Sequence, residues 1–282
     1  MTLSETVLHE KSARAPALVA VTSTSGRHRR VPRPVRRASG VVLAIGIWQL
    51  LSGVGVIDTA VLDSPLHVAT TGWQLIRNGE LPSALGVSLQ RVAKGLLLGG
   101  LAGIVLAIIA GLWRFGEDLL DAPLQMLRTV PFAGLIPLLI VWFGVGEKPK
   151  VALIALGVAF PLYINLFAGI RGVDPALVEA SRTLGLSRIA LIRHVIVPGA
   201  LPSLLVGLRF SLGISWLALV FAEQVNATNG LGYLMTNAQE LFQTNVIVVC
   251  LAVYALLGLG VDLLIRTLER VLLSWRPRFQ GA

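Results

Sequence analysis

Residues 171–202 read RGVDPALVEASRTLGLSRIALIRHVIVPGALP and form the longest polar interval inside an otherwise apolar chain. Asp174 can cap a helix N-terminus, and Pro175 follows at the first helical position, where its missing N–H costs nothing. Leu177, Ala180, Ser181 and Leu184 then recur at helical spacing on one face, with Glu179 and Arg182 displaced from it. Gly185 stands where a left-handed residue would end that helix. Ser187 can cap a second short helix carrying Ile189, Ile192 and Ile196, and Pro198 and Pro202 are expected to punctuate its exit. The stretch therefore predicts a compact helix–turn–helix, not a slack loop.

What flanks it is a membrane protein. The chain has 282 residues, 55% of them hydrophobic and 14% charged, with a mean hydropathy of +0.77, which is too apolar for a soluble domain. Six apolar runs are long enough to be read as spans, over 38–57, 87–112, 119–143, 151–170, 201–222 and 246–265. The expected architecture is all-α, with about six transmembrane helices over 38–270, a basic tail over 1–37 and a second tail over 271–282. Gly95, Gly99, Gly100 and Gly103 in the second run offer close helix contact. The third run is interrupted by Pro123, Pro131 and Pro137, which loosen a helix that bundle neighbours must re-satisfy. The polar segments 58–80 and 223–245 are expected on the face opposite the loop.

Charge orients the spans. Seventeen basic residues fall on the side of the termini and the 171–200 loop, against Arg77, Arg91, Lys94, Lys148 and Lys150 on the other. Both termini and the loop are therefore expected to be cytoplasmic. The net charge of +9 sits beside the spans, so it points to anionic lipid and not to nucleic acid. The lone Cys250 lies in an apolar run and reads as a small buried hydrophobe.

No engine is present in the sequence. There is no phosphate-binding G-x-x-x-x-G-K-[S/T], no H-E-x-x-H metal pair and no G-x-S-x-G nucleophile turn, and the four histidines are scattered. No catalytic residue, metal ligand or bound cofactor is expected. An ion-coupled secondary transporter would want an internal repeat and a carboxylate at mid-membrane, whereas the acidic residues here lie at span margins. Among charged and polar groups within spans, Arg209 reads either as a snorkelling structural residue or as an electropositive element of an anion path, and Arg128 reads the same way. Asn165, Ser211 and Ser215 are candidate path-lining groups. Glu223 and Gln224 are expected at the external surface, ordering the loop there or meeting a partner.

Glu179-Ala180-Ser181, three residues, Gly185, nine residues and then Val195-Ile196-Val197-Pro198 resembles the EAA loop of the membrane subunits of binding-protein-dependent ABC importers. Ser181 stands for the second alanine of that pattern, and Val195 and Val197 for isoleucine and leucine. Residues 125–144, 200–223 and 229–239 look like the permeases of the aliphatic sulfonate, taurine and nitrate group. The resemblance implies a type I importer permease in the bacterial inner membrane. It implies that Glu179, Ala180, Ser181, Gly185, Val195 and Pro198 belong to a loop that docks a cytoplasmic ATPase. The implied assembly holds a dimer of ATP-binding subunits that use ATP and Mg, a second copy of the permease, and an extracytoplasmic binding protein. The implied cargo is a small organic anion such as a sulfonate.

Overall fold

A computed structural model of the chain describes residues 33–58 and 61–275. The chain divides into two units, residues 1–44 and 45–282. The first contributes, within the described residues, the start of α1 (Arg33–Gly53). The basic tail over 1–37 lies outside the described residues as far as residue 32, as do Arg276 and Arg278.

The second unit continues with α2 (Pro65–Arg77), α3 (Glu80–Leu112), α4 (Arg114–Thr129), α5 (Phe132–Phe143) and α6 (Glu147–Arg171). The 171–202 stretch follows as α7 (Pro175–Thr183) and α8 (Arg188–Leu191), then a π turn (Ile192–Ile196). The chain ends with α9 (Val197–Asn226), α10 (Leu231–Glu240) and α11 (Thr244–Leu272). Among the described residues no strand occurs. Local chemistry sets several boundaries. Ser64 caps α2 by accepting from the His67 N–H, with Pro65 in the first turn. Gly79, at φ +76°, takes the left-handed step that separates α2 from α3.

The centre of the bundle is α3 against α6 and α6 against α9. A Cβ placed on Gly99 would lie 2.1 Å from the Ala155 carbonyl oxygen, and one on Gly103 would lie 2.5 Å from that of Ala159. One on Gly95 would lie 2.4 Å from Ile154 Cγ2. These glycines, four residues apart, let two backbones nearly touch, which is how helices associate where lipid removes the hydrophobic drive. Gly100, expected to share that role, makes only ordinary contact, 3.9 Å from Leu162. On the other side of α6, a Cβ on Gly207 of α9 would meet Asn165 Cβ at 2.9 Å. Leu153, Ile154, Val158 and Leu219 are fully enclosed in this core. A second cluster gathers Leu75, Leu81, Leu231, Val249 and Cys250 at the other helix ends, so Cys250 is the buried small hydrophobe expected.

One expectation changes. The run 119–143 is not one span but two helices broken at Val130–Pro131. Proline disfavours helical geometry in the residue before it, and Pro131 itself is extended at ψ 126°. Pro123 and Pro137, by contrast, stay inside helices. Among the described residues four helical runs, 80–112, 147–171, 188–225 and 244–272, are long and apolar enough to cross a membrane. Ser39–Gly53 and Gly134–Phe143 are apolar but shorter. The polar segments 58–80 and 223–245 each contain a helix, α2 and α10.

The α3–α6 contact makes a direct prediction. Gly99→Val must push a backbone carbonyl aside and is expected to cost about 1–3 kcal/mol, lowering the melting midpoint of the detergent-solubilised protein. Gly134→Ala, where the added carbon meets nothing within 4 Å, is expected to leave that midpoint unchanged.

Candidate functional site

The first functional feature is the α7–α8 pair. The Asp174 carboxylate accepts from the Ala176 N–H at 2.9 Å, as an N-cap should. At the other end Gly185 adopts φ +81°. Its N–H donates to Arg182 O at 2.9 Å while the Leu186 N–H donates to Ser181 O at 3.1 Å, the paired closure of a Schellman turn. Ser187 caps α8 by accepting from the Ala190 N–H. The motif is therefore held by its own hydrogen bonds. None of α7 is buried. Leu177, Leu184 and Ile189 are 58%, 80% and 79% exposed, an apolar ridge that the chain itself leaves uncovered. Glu179 and Ala180 are exposed beside it, Ser181 is half-buried and donates to Leu177 O, and Val195 and Pro198 are half-buried at the exit. Behind the ridge, Arg171 pairs with Glu117 of α4, donates to Ala110 O of α3 and lies over the Phe167 ring.

The exit differs from expectation. Pro198 and Pro202 do not end the second helix. Helical structure runs from Arg188 to Val225, with Pro198 in the first turn of α9 and Pro202 inside it. The Val197 N–H donates to Ile192 O, a five-residue step that admits one extra residue without breaking the rod. Sequence reasoning had no period with which to find this π turn.

The second feature is a buried polar network joining the N-terminal ends of α3 and α6 to the α9–α10 connection. Arg91 is 2% exposed. Its Nε and Nη2 donate to both oxygens of Glu147, at 2.7 and 2.6 Å. Its Nη1 donates to Glu223 Oε1 and to Asn229 O, each at 2.7 Å, and Nη2 donates also to Asn229 Oδ1 at 2.8 Å. These five bonds match the full donor capacity of a guanidinium. Glu223, 1% exposed, also accepts from Ser88 Oγ at 2.8 Å and from the Gly232 N–H at 2.7 Å. Ser88 Oγ in turn accepts from the Leu231 N–H at 2.9 Å. Lys150 completes the cluster on Glu147 at 3.1 Å. Gly230 and Gly232 permit the closure, because a Cβ on either would lie 2.6 Å from Glu223 atoms.

Glu223 is thus not a surface residue; only Gln224 is exposed. Arg91 is not a free charge at the membrane margin either. The usable signal was an Arg three residues after a Ser at the start of an apolar helix, but its partners are 56 and 132 positions away.

The third feature is a cavity of about 350 Å³ between α5, α6 and α9, walled by Leu156, Phe160, Phe210 and Ile214. Of the candidate path residues, Asn165 reaches it, while its amide donates to Pro161 O at 2.8 Å. Ser211 and Ser215 do not. Both are fully buried, one donating to Val158 O across the α6–α9 contact and the other to Leu212 O in its own helix. Both small hydroxyls serve helix packing here. Arg209 turns to α11, where it meets Glu269 at 3.1 Å and Asp262 at 3.9 Å, and Arg266 also holds Asp262. Glu269 answers its charge directly, and Asp262 is shared with Arg266. The side chain of Arg128 lies outside those described. Among the described residues no cluster of His, Cys, Asp or Glu could hold a metal ion.

An apolar helical bundle carrying an exposed, self-capped helix pair is the architecture of an importer's membrane component. The chain belongs to the family of binding-protein-dependent transport system inner membrane components, which matches residues 99–273. It is 50% identical over 235 residues to the aliphatic sulfonates transport permease protein named SsuC of Escherichia coli (strain K12), covering 83% of this chain and 89% of that protein. The protein of the same name from Bacillus subtilis (strain 168) is 45% identical over 237 residues, covering 84% and 86%. A solved chain of an amino acid ABC transporter shares the fold, with a TM-score of 0.59 at 20% identity over 70% of this chain and 96% of that one.

The polar network predicts its own fragility. Arg91→Met leaves the buried Glu223 carboxylate without its cation and is expected to cost about 3–5 kcal/mol. Pairing it with Glu223→Leu is expected to cost less than the two single changes added together. Thermal unfolding of the three variants in detergent checks both statements.

Proposed function

We propose that this chain is the membrane-spanning subunit of an ATP-driven importer and forms the path for an aliphatic sulfonate. The observation that carries the transport reading is the α7–α8 pair, a self-capped helix pair with an exposed apolar ridge and the carboxylate of Glu179 beside it. Exposed apolar ridges of this kind are built to fill a partner's groove. The partner is a dimer of cytoplasmic ATP-binding subunits, which use ATP and Mg; this chain itself binds neither. Two copies of the permease flank the path. The termini and α7–α8 face the cytoplasm, as the distribution of basic residues indicates.

The sulfonate follows from the likeness to the two proteins so named, at 50% and 45% identity over most of the chain. The cavity beside Asn165 suits the same cargo. Its walls are apolar, so an alkane tail is not penalised, and among the described residues no cation that would retain an anion lines it. Because Arg209 is matched by Glu269 and Asp262, its role is to tie α9 to α11 and not to bind solute. An extracytoplasmic binding protein delivers the solute to the opposite face, where Gln224 is exposed and the Arg91–Glu223 network keeps the α9–α10 connection in place.

Growth on an alkanesulfonate as sole sulfur source is expected to fail in a strain lacking this chain and to return on complementation. Taurine, nitrate and a thiamine precursor serve as controls. Intact sulfonate growth with loss of one of these would overturn the sulfonate and leave the importer standing. Gly185→Val forces a β-branched residue into the left-handed region, at about 1–2 kcal/mol or more. The variant is expected to reach the membrane at normal levels yet abolish sulfonate-dependent growth and release the ATPase on purification.

A further inference from the structure

A groove of about 690 Å³ runs between α3, α5 and α6, on the side of α5 away from the Asn165 cavity. Its floor is made of small residues, Gly99, Ala102, Ala155 and Ala159, and Trp142 of α5 stands in its wall. Charged side chains enter only at one end, from Lys94, Glu147 and Lys148. Glu147 is already committed to Arg91 and Lys150. Lys94 and Lys148 are exposed, and neither has an ion pair or hydrogen bond among the described residues. In this cluster Arg91, Lys94, Lys148 and Lys150 face Glu147 and Glu223, so two positive charges remain, both on the groove's rim.

The dimensions say what fits. From Glu147 to Ala159 the groove follows α6 for about 18 Å at 1.5 Å per residue. One leaflet of a bilayer core is about 15 Å deep, half of its full thickness. An apolar slot one leaflet deep, with two unpaired ammoniums at one end, has the polarity of an anionic amphiphile. A soluble anion would leave the slot empty. The apolar part of α1 from a second copy, SGVVLAIGIWQLLSG over Ser39–Gly53, has no acidic residue and would leave both lysines unanswered.

We propose that this groove binds an anionic phospholipid of the surrounding membrane, its acyl chain along α6 and its phosphate between Lys94 and Lys148. By the charge-based orientation this is the outer leaflet. The site holds the lipid beside the α3–α6 contact on which the bundle is built.

Trp142 reports on the site. The full chain is reconstituted in phosphatidylcholine vesicles carrying either brominated phosphatidylglycerol or brominated phosphatidylcholine. The quenching due to Trp142 is the difference between the natural chain and Trp142→Phe. With two basic groups near the surface, phosphatidylglycerol is expected to be preferred by about tenfold. In Lys94→Gln/Lys148→Gln the preference is expected to vanish while the protein keeps its melting midpoint. Equal quenching by both lipids, or a preference that survives the double substitution, overturns the proposal. So does disulfide linkage of two copies through Ala102→Cys, which would show that protein and not lipid fills the groove; Cys250 is buried and stays silent. Because the readout does not involve solute, it is unaffected if the sulfonate reading fails.

Discussion

The carbonyl oxygen of Ala155 occupies the space that a side chain at position 99 would need. The polar network at the Arg91 end of the bundle depends on that contact. With α3 and α6 pressed together through Gly95, Gly99 and Gly103, Arg91 on one helix arrives at bonding distance from Glu147 at the start of the other. The same proximity brings Glu223 of α9 to the free side of the guanidinium. In a low-dielectric environment an unpaired buried ion is prohibitive, so the network tolerates little change in helix spacing. Arg91 then holds Asn229 by donating to it, while Ser88 and Glu223 hold Leu231 and Gly232 by accepting from their N–H groups, and α10 is fixed with them.

The two ends are built on opposite principles. At the Arg91 end, polar groups are buried, saturated and locked against glycines. At the α7–α8 end the backbone is self-capped but its apolar side chains are left open. Between them runs one helical rod, Arg188 to Val225, bent only by a π turn. A displacement at α8 would therefore be carried into α9, past the Asn165 cavity, towards Glu223. Pro198 and Pro202 do not interrupt that continuity.

How much of this the sequence disclosed depends on how local the cause was. Asp174, Pro175 and Gly185 act within one turn of their own position, and the helix–turn–helix they imply is present. The glycine stripe of α3 is equally local, although only the structure separates Gly99 from Gly100. Pro131 was visible, yet whether a proline kinks a helix or breaks it depends on neighbours, and here it breaks. The Arg91–Glu223 pair joins residues 132 positions apart and carries no periodic signal. Ser211 and Ser215 were ambiguous in the sequence because a hydroxyl suits a polar path and a tight helix contact equally well; both donate to backbone carbonyls.

The central claim is that α7 and α8 seat the ATP-binding subunit. The most direct measurement places a photo-activated cross-linking residue at Leu184, 80% exposed on the ridge, in cells that express the whole transport system. A lipid-facing control goes at Leu101 of α3, 57% exposed. A cross-link is expected from position 184 to the ATP-binding subunit, with none from position 101. Absence of that product at 184, or an equal yield from both positions, would contradict the claim.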